Sequence, residues 1–245
     1  MIRRHPRGRA AAGSVLLALV LLLSSGCSFF DPNSADPEPA ETTSASASSD
    51  TETTKETQFT RDGTFQSHLS VPGAKDVDFV FTVYPTKATP RTNEWYPRGS
   101  KYFTFTFQAY DLAQGLRDPF ATKRMVYLDR IKVSSVTVTA GSKVQHPYTL
   151  NAVAKKITLD PEPVTTKYGM LITSPKGAFE LRNQRIKPSS LDTTAVKLTF
   201  TATVHVEKKA GSSTYLARTV TQTVPMTIFA SEEKTAVADI PVDAN

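Results

Sequence analysis

The 245-residue chain predicts an all-β fold, an antiparallel sandwich of about eight or nine strands. Three observations carry that reading. Between residues 67 and 230 apolar and polar residues alternate with period two over long stretches, turn residues interrupt them at short spacing, and no stretch shows the long amphipathic period of a helix.

Taken in order, residues 76–84 and 102–110 alternate strictly, and Phe103, Phe105 and Phe107 share one face of the second run. Three aromatics side by side would form a large exposed patch, so that face lines the space between two sheets. Further strands are expected at 124–139, 148–159, 168–173 and 178–186. They are separated by Ala140-Gly141-Ser142, Asp160-Pro161-Glu162-Pro163 and Ser174-Pro175-Lys176-Gly177. The clearest run has Val196, Leu198, Phe200, Ala202, Val204 and Val206 on one face and Lys197, Thr199, Thr201, Thr203, His205 and Glu207 on the other. One side is core and the other is wet. Its partner spans 215–228, joined through the polar loop 208–213, whose Gly211 suits a turn with positive φ. Pro225 has no N–H for a ladder and belongs at an edge or a bulge. Residues 118–123 suit a single helical turn, with Asp118 as N-cap and Pro119 in the first position.

Residues 192–196 resemble the corner leading into the late strand of immunoglobulin domains, which implies an immunoglobulin-like sandwich. The resemblance stops at the architecture. There is no cysteine pair, and the single Trp95 falls in a loop, so both hallmarks of antibody domains are missing.

The N-terminus is read differently. Arg3, Arg4, Arg7 and Arg9 precede an apolar run from Ala10 to Leu23 that is too short to span a bilayer with margin, the pattern of a secretory signal. Ser24-Ser25-Gly26 before Cys27, the only cysteine, resembles the lipobox of bacterial lipoproteins. That resemblance implies cleavage before Cys27 and a diacylglycerol on its sulfur, leaving the protein on the cell membrane and facing away from the cytoplasm. Ser24 departs from the pattern, which prefers leucine there; the nearest leucine is Leu23. The competing reading is a secreted soluble protein cut nearby.

Residues 28–66 are rich in Ser, Thr, Ala, Asp, Glu and Pro, bury too little apolar surface to offset chain entropy, and are expected to be a disordered tether. The tether resembles those of actinobacterial lipoproteins. A flexible coil of that size has a mean reach of about 30–36 Å. The expected organisation is therefore a signal peptide over 1–26, a lipidated Cys27 with its tether over 27–66, a sandwich over 67–230 and a loose acidic tail over 231–245. With one cysteine no internal disulfide forms, so stability must come from packing and strand pairing.

Charge is unevenly placed. Residues 67–231 hold 22 Lys and Arg against 11 Asp and Glu, a net +11, whereas the tether carries −6 and the tail −3. A basic domain between acidic tails suits docking onto anionic envelope polymers, lipid headgroups or another envelope protein. The same charges would also serve as solvated strand faces. The export signal argues against nucleic acid as a partner.

No catalytic or metal-binding motif is found: no GxSxG, HExxH, P-loop, GxGxxG or CxxC. His68, His146 and His205 are expected on the surface, and no catalytic residue, metal or cofactor is assigned. The candidate recognition surface is the loop over 84–100, where Arg91, Trp95, Tyr96 and Arg98 would form a flat cationic face for a sugar ring, a peptide or a partner protein. The competing role for Trp95 is a plug in the open end of the sandwich. The function expected is a non-catalytic binding or adaptor module in the cell envelope. The alternatives are an envelope-acting hydrolase or transferase with a scattered site, and a structural subunit of an envelope complex offering its edge for strand addition.

Overall fold

The computed structural model describes residues 56–87 and 93–237. The signal peptide, Cys27 and the tether up to residue 55 lie outside them. Among the described residues ten strands form two antiparallel sheets: β1 (Phe65–Val71), β2 (Ala74–Pro85), β3 (Lys101–Asp111) and β8 (Phe179–Ile186) in the first, in that order. The second contains β4 (Val126–Thr139), β5 (Thr149–Val153), β6 (Thr165–Thr166), β7 (Gly169–Leu171), β9 (Thr193–Glu207) and β10 (Tyr215–Thr227). Its order is β10-β9-β4-β7-β6, and β5 also pairs with β4. The expected all-β sandwich is what forms.

The connections give the architecture its character. The chain crosses from the first sheet to the second between β3 and β4, returns between β7 and β8, and crosses again between β8 and β9, while β3 pairs with β8 and β4 with β9. Strands β2-β3-β8 facing β10-β9-β4 have the order of A-B-E facing G-F-C in immunoglobulin sandwiches. Residues 192–196 do lead into the late strand, β9.

Between the sheets lies an aromatic slab. Phe79, Phe81, Phe103, Phe105, Phe107, Phe179 and Phe200 are all buried, and Phe200 reaches across from β9 to Phe81 and Phe105 at ring separations of 4.4 and 5.0 Å. The three phenylalanines of β3 face inward as their alternation predicts.

Four boundaries differ from the sequence reading. Residues assigned to the tether are structured: a short helix, α1 (Gln58–Asp62), is capped by Thr57, whose side chain accepts from the Thr60 N–H, and ends at Gly63 with φ 66°. It buries Phe59, which packs edge-on against Trp95 at 4.9 Å, and β1 begins at Phe65. A single phenylalanine in a polar stretch leaves no periodic signal, yet it closes the core. The strand expected over 148–159 stops at Val153, where a 3₁₀ turn (Ala154–Lys156) buries Ala154 instead. The turn near Asp118 is a 3₁₀ turn (Phe120–Thr122) with Pro119 as its N-cap. Asp118 instead accepts the Gly115 N–H at 2.7 Å. Finally, residues 231–235 are not loose. The Thr235 N–H donates to the Arg98 carbonyl at 2.9 Å, and its buried hydroxyl accepts from the Tyr96 N–H at 3.0 Å.

Candidate functional site

The structure divides the expected recognition loop. Arg91 lies outside the described residues. Trp95 is only 1% exposed, bridges in parallel to Ile228, and accepts the Phe229 N–H at its carbonyl. Its placement in a recognition surface is corrected: the indole sits under Phe59 as the plug, where its large apolar area is worth most out of water. Tyr96 is half-buried and donates to Glu94 Oε2 at 3.2 Å; burial and that carboxylate push its hydroxyl pKa up. Arg98 is exposed but donates to the Glu232 carbonyl at 3.2 Å. Tyr96 and Arg98 thus meet the C-terminal segment.

Below this loop Lys101 is fully buried. Its ammonium donates to the carbonyls of Pro97 and Gly99, each at 3.2 Å, and burial lowers its pKa to about 8. Two carbonyls take two of the three ammonium N–H groups and do not balance the charge.

The histidines stand apart. His68 pairs with Asp78 at 2.6 Å, His146 Nδ1 lies 2.5 Å from the Ser135 carbonyl, and the His205 ring packs on Tyr168 at 5.1 Å. Among the described residues no three His, Cys, Asp or Glu side chains gather as a metal site. A cleft of about 380 Å³ opens between the 158–161 loop and the turn at Pro175, bordered by Gln108, Asp160, Lys176 and Glu180. Its carboxylates are engaged: Asp160 holds the Glu162 N–H and Glu180 pairs with Arg182.

A larger ordered surface lies on the solvent face of the second sheet. Strand register sets residues in rows across four strands. Asn151, Lys132, Thr201 and Thr221 form the middle row on β5, β4, β9 and β10. Thr149, Ser134, Thr199 and Thr223 form the row on one side of it, and Val153, Arg130, Thr203 and Thr219 the row on the other. Directly paired residues of an antiparallel sheet point to the same side. Six threonines therefore stand as three facing pairs, flanked by Arg130 and Lys132, with Lys197 two residues beyond Thr199. Thr199 and Thr223 hydroxyls lie 3.2 Å apart, while those of Thr201, Thr203, Thr219 and Thr221 bond no described residue.

An aromatic group closes one end of these rows. Tyr168 packs on Tyr215 at 4.3 Å and on His205, Tyr215 on Tyr127 at 5.7 Å, and the Lys167 ammonium lies 5.1 Å from the Tyr168 ring. Burial, with Glu207 and Tyr127 nearby, pushes the Tyr215 hydroxyl up to about 12, so it stays a neutral donor at physiological pH. Glu207 itself is buried and spends its oxygens on the Met125 and Ser213 N–H groups. Gly169, with φ 117°, turns the chain behind Tyr168; a Cβ there would meet the Leu128 carbonyl at 2.2 Å. The signal for this face was present as Thr199-x-Thr201-x-Thr203 and Thr219-x-Thr221-x-Thr223. Sequence reasoning passed over it, taking those positions only as the wet side of a hairpin.

The charges are largely uncompensated. Among the described residues the four ion pairs use Arg61, Arg124, Arg182 and His68 as cations, and no lysine joins one. Compared with known proteins, no family model matches the chain and no curated protein matches it.

Proposed function

We propose that the protein is a lipid-anchored binding module of the cell envelope: Cys27 holds it on the membrane, the acidic segment spaces it from the lipid, and the basic sandwich docks onto anionic envelope material without a catalytic step. The observation that carries this reading is the set of lysines without carboxylate partners on a domain of net +11. Charges left unpaired at a surface attract a polyanion over roughly a Debye length, about 8 Å at physiological ionic strength. The lipobox resemblance at Ser24-Ser25-Gly26-Cys27 supplies the anchor, and two or more acyl chains on one residue make it stable.

The test has two parts. Intact mass of the membrane-fraction protein should start at Cys27 and carry acyl chains, and Cys27→Ala should release it; an unmodified, freely released wild type overturns the anchor. Co-sedimentation with a polyanion, polyphosphate or alginate, should weaken steeply as salt rises, and the absence of binding to both at low salt overturns the docking role.

A further inference from the structure

We propose that the solvent face of the second sheet is a binding platform for one extended, carboxylate-bearing polysaccharide strand, laid along β9 from the Tyr168 end towards Lys197. This deepens the docking role above and rests on it.

Threonine hydroxyls both donate and accept, so a grid of them matches a ligand that is itself covered in hydroxyls. The grid is regular because strand geometry makes it so: rows stand about 6.8 Å apart along a strand and about 4.8 Å apart across strands. Four of the six hydroxyls have no partner among the described residues, so their bonding capacity is turned outward. A protein partner would call for apolar anchors at the centre of the patch, which this face lacks.

The two ends supply the rest. At one end the half-buried rings of Tyr168, Tyr215 and His205 offer an aromatic surface for the apolar face of a sugar ring. Along the grid, Lys132 and Lys197 are exposed, and Arg130 reaches Asn151 at 2.9 Å. Lys132 lies opposite Thr201, so about four residues, or about 14 Å, of hydroxyl-lined strand separate it from the level of Lys197. Cations about 7 and about 14 Å apart along the strand, with hydroxyls between them, complement a polymer whose charges are separated by whole sugar rings rather than a polyphosphate, whose charges follow one another at each phosphorus. Of the carboxylates at the edge of the grid, Glu207 is buried and occupied, and Asp129, the extra residue of the β4 bulge, stands next to the exposed Arg130.

The experiment uses the full chain with three probes: alginate as the carboxylate-bearing glycan, dextran as the neutral glycan, and polyphosphate as an anion without sugar. Alginate should bind more tightly than dextran. Thr201→Val with Thr221→Val removes two hydroxyls while keeping branched strand side chains, so the fold is retained, as a thermal melt will check. That pair should weaken alginate about ten-fold and leave polyphosphate unchanged. Tyr168→Ala should act on alginate in the same way, and Lys132→Glu with Lys197→Glu should weaken alginate further. If alginate affinity is untouched by the valine pair and by Tyr168→Ala, or if alginate fails to bind while polyphosphate binds, the platform is overturned and electrostatic docking stands. If neither polymer binds, both are overturned.

Discussion

Lys101 brings an ammonium group into the base of the 95–101 loop, where two carbonyls are its only partners among the described residues. Its pKa is lowered to about 8 in the folded protein against 10.5 ordinarily, so between those values the unfolded chain binds more protons and stability rises with pH. Urea unfolding should show a gain of about 1–2 kcal/mol between pH 8 and 9.5, and Lys101→Met should abolish it. The window stops there because Tyr148 and Tyr215, whose burial raises their pKa, oppose the trend once unfolded tyrosines ionise near pH 10. At the same scale, Gly169→Ala would force a side chain into the Leu128 carbonyl at a positive φ. It should cost at least about 2 kcal/mol in a thermal or denaturant melt. Trp95 should emit in the blue and resist aqueous quenchers, because it is buried under Phe59.

Single elements tie the sandwich ends together. Asp111 at the end of β3 accepts the Arg124 main-chain N–H at 2.8 Å and its guanidinium at 2.6 and 3.1 Å, locking the crossing from β3 to β4. Burial alone would raise the Asp111 pKa; the Arg124 hydrogen bonds outweigh it and hold the carboxyl below its usual range. Its contribution is therefore complete above the unfolded value near 4 and is lost as pH falls below it. Asp111→Ala should cost about 3–5 kcal/mol at neutral pH, since it strands a mostly buried guanidinium. Helix α1 makes a similar claim on stability. A chain starting at Ser67 should melt well below one starting at Glu56, by at least about 3 kcal/mol, because it loses Phe59 and the first residues of β1.

For the whole molecule, the strands were legible because period-two alternation is a direct consequence of pleat geometry. β2, β3, β4, β8, β9 and β10 all fall where it places them. Phe59 and Thr235 were not legible, since each is an isolated residue whose burial depends on what a distant segment does. The face of threonines was half legible. Each strand shows its own Thr-x-Thr-x-Thr, but that two such strands stand in register, beside Lys132 and below Tyr168, is a matter of pairing. The chain alone determined the alternation, the single cysteine, the segregation of charge and the resemblance at residues 24–27, because these depend on residue type and local spacing. Only tertiary structure decided that Trp95 is a plug, that Lys101 is buried, and that residues far apart in sequence share one face. Register, end closure and burial are set by long-range contacts that no local pattern encodes.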